Sequence, residues 1–422
     1  MNRSMPWLLL LWGFISTGPL AYAAVELGAT RQEADATVGC LFPMSGRGGL
    51  YGRDSAVGVE LALEHLEQAG LKNTPRLRVL FADSKSKASR AVRQVRDFVH
   101  NEQARFICGV VNSAIALQVT QVAQDLEVFF IGTDHASSSL TGESLNEFYF
   151  RTNNDSAQSM RAGARYIREH LYPDKKGEPL RIAFIGPDYD YGYQTWKDLR
   201  SSLAREGVRY KVIKTLWPKL YEPDYTTFIR SLMSQQVDLV VNSLWGGDMV
   251  AFVQQAVRTD FFQHSRFANF DTGANYEVLS ALGSELPQGL ILSARHHVNW
   301  PDTKLNKWFV YRFHALTGRY PSYAAEGAYS GILAIAEALR QTGSDASNSE
   351  IRKALLGLKL HLPEDPEGFD SYMNPQDHQL QQVIAIGETL RDLRYPPAQM
   401  MLGKWQVYTP QALDTPSNLP TP

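Results

Sequence analysis

The stretch from Phe106 to Ser139 narrows the choice of fold, because it holds two short apolar runs separated by a helical pattern. The runs Phe106–Val111 and Val128–Ile131 have the length and composition of buried parallel strands. Between them, apolar residues recur at the spacing of one helix face. These residues are Ile115, Val119, Val122 and Leu126. Strand, helix and strand in this order predict a parallel pair with the helix packed on the sheet.

Both predicted strands end in small polar residues, at the place where ligands bind in an open α/β sheet. The first strand is followed by Asn112, Ser113 and Ala114, and the second by residues 133–137. A Ser at the start of a helix lies beside free backbone N–H groups, which suit a carboxylate. The stretch therefore predicts a small-molecule site.

The same alternation of strands and helices occurs on both sides of a linker-like segment at Phe148–Asp155. Two such series predict an α/β fold with two Rossmann-like doubly wound lobes. We assign residues 36–152 with 296–362 to the first lobe and 153–295 with 363–408 to the second. One strand is expected at Asp377–Ile386. Residues 409–422 are rich in Pro and Thr and are expected to form a flexible tail.

Residues 1–23 have the pattern of a secretory signal peptide, with Arg3, the apolar run Trp7–Ile15 and the cleavage site Ala21-Tyr22-Ala23. The run is short for a membrane span. We expect an exported protein, periplasmic in a Gram-negative bacterium and not inserted in the membrane. The remaining chain of about 400 residues has room for two domains. Its interspersed charges, with a net charge of −2, give no indication of a nucleic-acid partner.

The two cysteines, Cys40 and Cys108, both lie in apolar strand-like runs. Two cysteines do not form a disulfide framework, and neighbouring parallel strands give a bond between them an awkward geometry. We therefore expect two buried free thiols, with a disulfide as the alternative if the strands are neighbours. No other metal ligand is spaced around either cysteine, so a metal site is not expected there.

Three other motifs have an ordinary explanation. His296, His297 and His314 suggest a metal, but adjacent histidines on a strand point to opposite faces, and we expect exposed linker histidines. The segment Gly46–Gly52 fails the dinucleotide spacing, and Asp188–Gly192 lacks the rest of a calcium loop. No nucleophile elbow, zinc-protease motif or phosphate loop is present, so the sequence predicts neither an enzyme nor a cofactor.

Several segments together resemble type I periplasmic solute-binding proteins of the leucine/isoleucine/valine-binding kind. These are the receptors of branched-chain amino acid ABC transporters and of their amide, urea and aromatic-acid relatives. The segments include CLFPMSGRGGLYG at 40–52, FICGVVNSA at 106–114, FFIGTDHASSSL at 129–140, RIAFIGPDYDYG at 181–192 and FDSYMNPQDHQ at 369–379. The resemblance covers nearly the whole chain after residue 23. It implies two lobes joined by three crossings, which close on a ligand like a hinged trap.

The resemblance also implies two loops of the first lobe that contact the ligand. One supplies backbone and Ser contacts to a carboxylate, and the other supplies further carboxylate and ammonium contacts. The residues at these positions are Val111, Asn112, Ser113, Asp134, His135 and Ala136. Asp134 and His135 depart from the small residues and Thr of many amino-acid binders, which argues against the usual amino acid.

The other implied contacts are aromatic or acidic. Tyr51 matches an aromatic residue at the rim of the pocket, and Tyr191 and Trp245 match aromatic residues of the second lobe. Asp271 matches the acidic residue that holds the ligand ammonium group, where a Glu is common. An Asp before Thr-Gly is also ordinary turn chemistry.

The leading hypothesis is a non-enzymatic, exported solute-binding protein of an ABC importer. Its ligand would be a small carboxylate-bearing molecule, such as an amino acid or a related amide, urea or aromatic acid. The closed form would then dock on a permease in the inner membrane. The alternative is a ligand-sensing or accessory periplasmic protein that acts beside a receptor or an exported oxidoreductase.

Overall fold

The computed structural model describes residues 25–416, so the predicted signal peptide lies outside the described residues. The strands are β1 (Val25–Gly28), β2 (Ala36–Phe42), β3 (Leu77–Asp83), β4 (Phe106–Gly109), β5 (Phe129–Gly132), β6 (Tyr149–Arg151), β7 (Leu180–Ile185), β8 (Tyr210–Leu216), β9 (Leu239–Asn242), β10 (Arg266–Asn269), β11 (Ile291–Ser293), β12 (Lys359–Leu360), β13 (Ser371–Asn374), β14 (Gln379–Gln381), β15 (Ile384–Arg391) and β16 (Met400–Tyr408). The helices are α1 (Gly49–Ala69), α2 (Ala88–Glu102), α3 (Ser113–Asp125), α4 (Ser156–Tyr166), α5 (Asp190–Arg205), α6 (Thr226–Met233), α7 (Gly246–Ala256), α8 (Phe261–His264), α9 (Tyr276–Leu282), α10 (Lys304–Thr317), α11 (Tyr323–Thr342), α12 (Asn348–Leu356) and α13 (Pro410–Asp414).

The strands form two separate sheets with a parallel centre; the first sheet has antiparallel strands at both edges and the second at one edge only. The first sheet has the order β1-β3-β2-β4-β5-β6-β14-β13-β12, and the second has the order β16-β15-β11-β10-β9-β7-β8. Strands β3, β2, β4, β5 and β6 run parallel, as do β8, β7, β9, β10 and β11. The apolar runs of these strands are buried, as expected for parallel sheets, except in the edge strand β8, which is partly exposed. The predicted fold of two doubly wound lobes is confirmed.

The chain passes three times from one sheet to the other: between β6 and β7, between β11 and β12, and between β14 and β15. The third passage differs from the sequence assignment, which placed residues 363–408 in the second lobe. Strands β13 and β14 belong to the first sheet, and only β15 and β16 belong to the second. The single strand expected at Asp377–Ile386 is thus two strands in different sheets, because the chain crosses between Gln381 and Ile384.

The expectation of free thiols was wrong, since Cys40 and Cys108 form a disulfide. Strands β2 and β4 are direct neighbours, and the two residues are paired in register, with a Cα–Cα distance of 4.5 Å. That distance lies inside the range that a disulfide spans. The bond closes across the centre of the first sheet, and both side chains are fully buried.

The expectation of exposed histidines was also wrong, and the described part of the expected flexible tail is ordered. His296 and His297 lie in the second crossing and are buried, with Nε2 donating to Asn306 Oδ1 at 2.9 Å and to the carbonyl of Ala385 at 3.2 Å, respectively. Burial lowers the pKa of His296 to about 4 and that of His297 to about 3. The segment after Thr409 folds as helix α13 on the second lobe instead of fraying, as far as residue 416.

No helix within residues 25–416 is long and apolar enough to cross a bilayer.

Candidate ligand-binding cleft

A cleft between the two sheets is lined by loops that follow strands of both lobes. The lining residues are Val111, Ser113, Asp134, Ala136, Tyr189, Tyr191, Trp245, Thr272, Arg295 and Tyr323. The room left between them for a small molecule measures only about 10 Å³. This volume is about that needed to hold one water molecule, and it lies far below the range of about 300–1,000 Å³ typical of ligand pockets. A solute can therefore enter the cleft only when the lobes separate.

The first lobe contributes the start of helix α3. Ser113 is its first residue and is 1% exposed, and its Oγ accepts a hydrogen bond from the N–H of Ser137 at 3.2 Å. The hydroxyl hydrogen of Ser113 remains available to donate. Asn112 caps the helix, because its Oδ1 accepts from the N–H groups of Ala114 and Ile115 at 2.9 and 3.2 Å. Asn112 therefore positions Ser113 and does not itself line the cleft.

Aromatic side chains form much of the remaining wall. Tyr51 is not itself among the lining residues; its ring packs against Trp245 and Tyr323, which are, at centroid distances of 5.9 and 5.4 Å. Tyr189 ends the loop after β7 and Tyr191 lies in the first turn of α5, with their rings 6.1 Å apart. The predicted aromatic contacts Tyr51, Tyr191 and Trp245 thus come together from two lobes, and one buried cluster contains all three.

Asp271 is buried next to an arginine that the sequence reasoning did not include. Arg295 donates from Nε to Oδ1 at 2.9 Å and from Nη2 to Oδ2 at 2.7 Å. Tyr191 donates to Oδ2 at 2.6 Å, and Ser159 donates to Oδ1 at 3.2 Å. Burial alone would raise the pKa of Asp271, but Arg295 and these donors hold it below its usual value. Asp271 is therefore an ionised carboxylate within the protein's own hydrogen-bond network.

The loop after β5 places its two unusual residues beneath the cleft surface. His135 is buried, donates from Nδ1 to the carbonyl of Val110 at 2.7 Å and accepts from Tyr149 at Nε2 at 2.8 Å. Burial lowers its pKa to about 3, so the ring is neutral. Asp134 Oδ2 accepts from Thr133 at 3.0 Å, and burial raises the Asp134 pKa to about 8. His135 is thus part of the lobe interior, whereas Asp134 also reaches the cleft.

The two lobes touch directly across the cleft. The hydroxyl of Tyr51 in α1 donates to Glu277 Oε1 in α9 at 3.0 Å. Ser139 donates to both carboxylate oxygens of Asp190 at 3.4 and 3.3 Å. Burial raises the pKa of Glu277 to about 7, and Asp54 adds repulsion in the same direction. These bonds describe a closed arrangement of the lobes.

The sequence reasoning missed four lining residues, which are Tyr189, Thr272, Arg295 and Tyr323. Two of them lie next to or near predicted contacts, since Thr272 follows Asp271 and Tyr189 precedes Tyr191 by two positions. Arg295 carried a signal of its own, because a charged residue stands two positions after the end of strand β11, where the chain crosses between the lobes. Tyr323 begins helix α11, and its sequence surroundings gave no indication of a role in the cleft.

The fold and the cleft can now be compared with known proteins. The sequence profile of a family described as Periplasmic binding protein matches residues 35–392. The chain belongs to the periplasmic binding protein family. The match covers both lobes and all three crossings between them.

Curated relatives within this family are distant. Leu/Ile/Val-binding protein homolog 7 of Brucella abortus (strain 2308) is 23% identical over 387 residues, which are 88% of this chain and 93% of the relative. Leu/Ile/Val-binding protein homolog 8 of Brucella suis biovar 1 (strain 1330) is 24% identical over 358 residues, which are 83% of this chain and 87% of the relative.

Solved structures share the fold. A solute binding protein of an ABC transporter from Rhodopseudomonas palustris BisB5, in complex with 3,4-dihydroxy benzoic acid, has a TM-score of 0.77 at 18% identity, covering 89% of this chain and 99% of that one. An amino acid ABC transporter substrate-binding protein from Pseudomonas fluorescens Pf-5 has a TM-score of 0.73 at 22% identity. The match covers 91% of this chain and 98% of that one. Two lobes with a cleft at the carboxyl ends of the strands are therefore the architecture of this family.

Proposed function

We propose that this chain is an exported solute-binding protein of an ABC importer, and that it captures a small carboxylate-bearing molecule in the interlobe cleft. The observation that carries the proposal is the start of helix α3 at the cleft wall. Ser113 lines the cleft with a hydroxyl hydrogen free to donate. Its backbone N–H forms no hydrogen bond with the described residues. A helix N-terminus with two converging donors is a suitable site for a carboxylate.

The ligands of structural neighbours support the same chemistry. Three solute binding proteins from Rhodopseudomonas palustris have been solved in complex with 3,4-dihydroxy benzoic acid, p-hydroxybenzoic acid and benzoate, and each of these molecules carries one carboxylate. Another neighbour is described as an amino acid transporter component. We infer that the shared requirement is the carboxylate and that the rest of the cleft selects the body of the ligand.

We infer the capture mechanism from the contacts that the two lobes make with each other. The ligand enters when they separate, and closure forms the bonds from Tyr51 to Glu277 and from Ser139 to Asp190 across the cleft. The closed form then presents surfaces of both lobes to a permease in the inner membrane. Export by the segment at 1–23 delivers the protein to the periplasm.

The test is a thermal-shift screen of the purified protein, with single-ring carboxylic acids, aliphatic acids, amino acids, amides and urea. A ligand at about 100 times its dissociation constant adds about 2.7 kcal/mol of stability. This stabilisation corresponds to an increase of several degrees in Tm. If no compound in the panel raises the Tm, the proposal is contradicted.

The role of Ser113 is tested with Ser113→Ala, which we expect to weaken binding of the identified carboxylate about tenfold, or about 1.4 kcal/mol. The matched control is Ser156→Ala. Ser156 also begins a buried helix, but its hydroxyl donates to Asp198 at 2.7 Å and does not line the cleft. Equal losses in the two variants would argue against a carboxylate site at Ser113.

A further inference from the structure

The pair formed by Asp271 and Arg295 decides how many acceptors the cleft offers to a ligand. A carboxylate has about four lone-pair positions, and Asp271 accepts two hydrogen bonds from Arg295, one from Tyr191 and one from Ser159. Its side chain is 1% exposed. The residue predicted to hold a ligand ammonium group therefore has its acceptor positions filled by the protein.

The other carboxyl group at the cleft is turned into the first lobe. Asp134 Oδ2 accepts from Thr133, and Oδ1 lies against helix α11, where a Cβ at Gly327 would be 3.1 Å away. With a pKa of about 8, raised by burial, Asp134 is mostly protonated at pH 7. The remaining lining residues carry no acidic group. The lining thus offers no ionised, unoccupied carboxylate to an ammonium group.

Arg295 gives the cleft an excess of hydrogen-bond donors. Its guanidinium has five N–H donors, and three hydrogen bonds are formed, two to Asp271 and one from Nη1 to the carbonyl of Asp134. The group lies over the ring of Tyr323, with Cζ 4.9 Å from the centroid, and lines the cleft. Because Asp271 balances the charge of Arg295, the pair adds to the cleft two further N–H donors, which suit an oxygen acceptor of a ligand and offer no partner to an ammonium group.

We propose that the cleft binds aromatic carboxylic acids that lack an amine; this inference rests on the proposed function. Arg295 sets the specificity because it occupies acceptor positions of the Asp271 carboxylate. The carboxylate meets Ser113 and the start of α3. The flat body lies among the rings of Tyr189, Tyr191, Trp245 and Tyr323, which favour an aromatic ring. An α-amino acid would place its ammonium group beside a guanidinium and find no anionic partner.

The first test uses wild-type protein and ligand pairs that differ only in the α-amino group. The pairs are phenylacetate with phenylglycine, 3-phenylpropionate with phenylalanine, and 4-methylpentanoate with leucine. Isothermal titration at pH 7 should show at least one aromatic acid binding ten or more times more tightly than its amino counterpart and than 4-methylpentanoate. Tighter binding of an amino acid than of its desamino analogue would overturn the specificity and leave solute binding intact. Binding of no member of the panel would overturn both.

The second test asks whether Arg295 is the cause. The double variant Arg295→Met with Asp271→Asn removes both charges together, so that no buried charge is left unpaired. We expect its preference for the acid over the amino acid to fall at least tenfold. The matched control is Arg165→Met with Glu206→Gln, which removes another buried pair, joined at 3.0 Å, outside the cleft lining. If the Arg295 variant folds and its preference for the acid is unchanged, the role of Arg295 is overturned. If the variant does not fold, the ligand class is decided by the titrations of wild-type protein with the ligand pairs.

Discussion

At the scale of single residues, the disulfide between Cys40 and Cys108 joins the neighbouring strands β2 and β4 of the first sheet. The bond links residues that are 68 positions apart, and both side chains are fully buried. A crosslink of this span lowers the entropy of the unfolded chain without adding a contact at the surface. It therefore stabilises the lobe that carries Ser113.

We expect the double variant Cys40→Ala with Cys108→Ala to lose about 4 kcal/mol of unfolding free energy, by the chain-entropy estimate for a loop of this length. Urea unfolding followed by circular dichroism measures the loss. Reductant added to the folded protein should have little effect, because the sulfurs are buried, whereas reductant added to unfolded protein should lower the midpoint. Equal midpoints of variant and wild type would contradict a stabilising crosslink.

At the scale of elements, helices α1 and α11 pack at very short range, and both contribute to the cleft. A Cβ at Gly58 of α1 would lie 1.9 Å from the carbonyl oxygen of Ala325 in α11. A Cβ at Gly327 would lie 2.0 Å from the carbonyl oxygen of Thr133. These two glycines let α11 approach both α1 and the loop after β5, and this contact positions Tyr323 beside Tyr51.

The variant Gly58→Ala should therefore destabilise the protein by about 1–3 kcal/mol, because the helices must separate. The matched control is Gly247→Ala in helix α7, where a Cβ would meet no atom within 4 Å. That change should be neutral or stabilise by up to about 1 kcal/mol. Thermal unfolding of both variants measures the difference, and equal stabilities would refute the close contact.

At the scale of the whole molecule, closure buries a carboxyl group between the lobes. Burial raises the pKa of Glu277 from 4.5 to about 7 in the closed form. Around it lie Tyr51 and Asp54 of α1, and Arg319, which is paired to Asp54. A group whose pKa is raised on closure stabilises the closed form fully when the pH is below 4.5. This stabilisation decreases as the pH rises from 4.5 and is lost once the pH passes about 7.

Ligand affinity should therefore fall as the pH rises from about 4.5 to about 7, by at most roughly tenfold per pH unit, and should level off above the Glu277 pKa. The variant Glu277→Gln should remove this part of the pH dependence, because the side chain stays neutral. The control is Glu285→Gln, which changes an exposed glutamate of the same lobe. Titrations across this range measure the affinity, and a wild-type slope retained in Glu277→Gln would refute the assignment.

Local patterns in the sequence were sufficient for the strands, the helices and the two lobes, because apolar spacing reports burial over a few residues. The ends of the predicted strands also pointed to Ser113, Asp134 and Ala136, because the carboxyl ends of parallel strands share one edge, and the resemblance to a known family pointed to Tyr191 and Trp245; all five line the cleft. The roles of these residues in binding remain predictions. Tertiary structure alone decided the pairing of Cys40 with Cys108, the return of β13 and β14 to the first sheet, and the inward turn of His135. It also decided that Asp271 binds Arg295, 24 residues further along the chain. Each of these features depends on which distant segments become neighbours, and the pattern of a single segment carries no information about its partner.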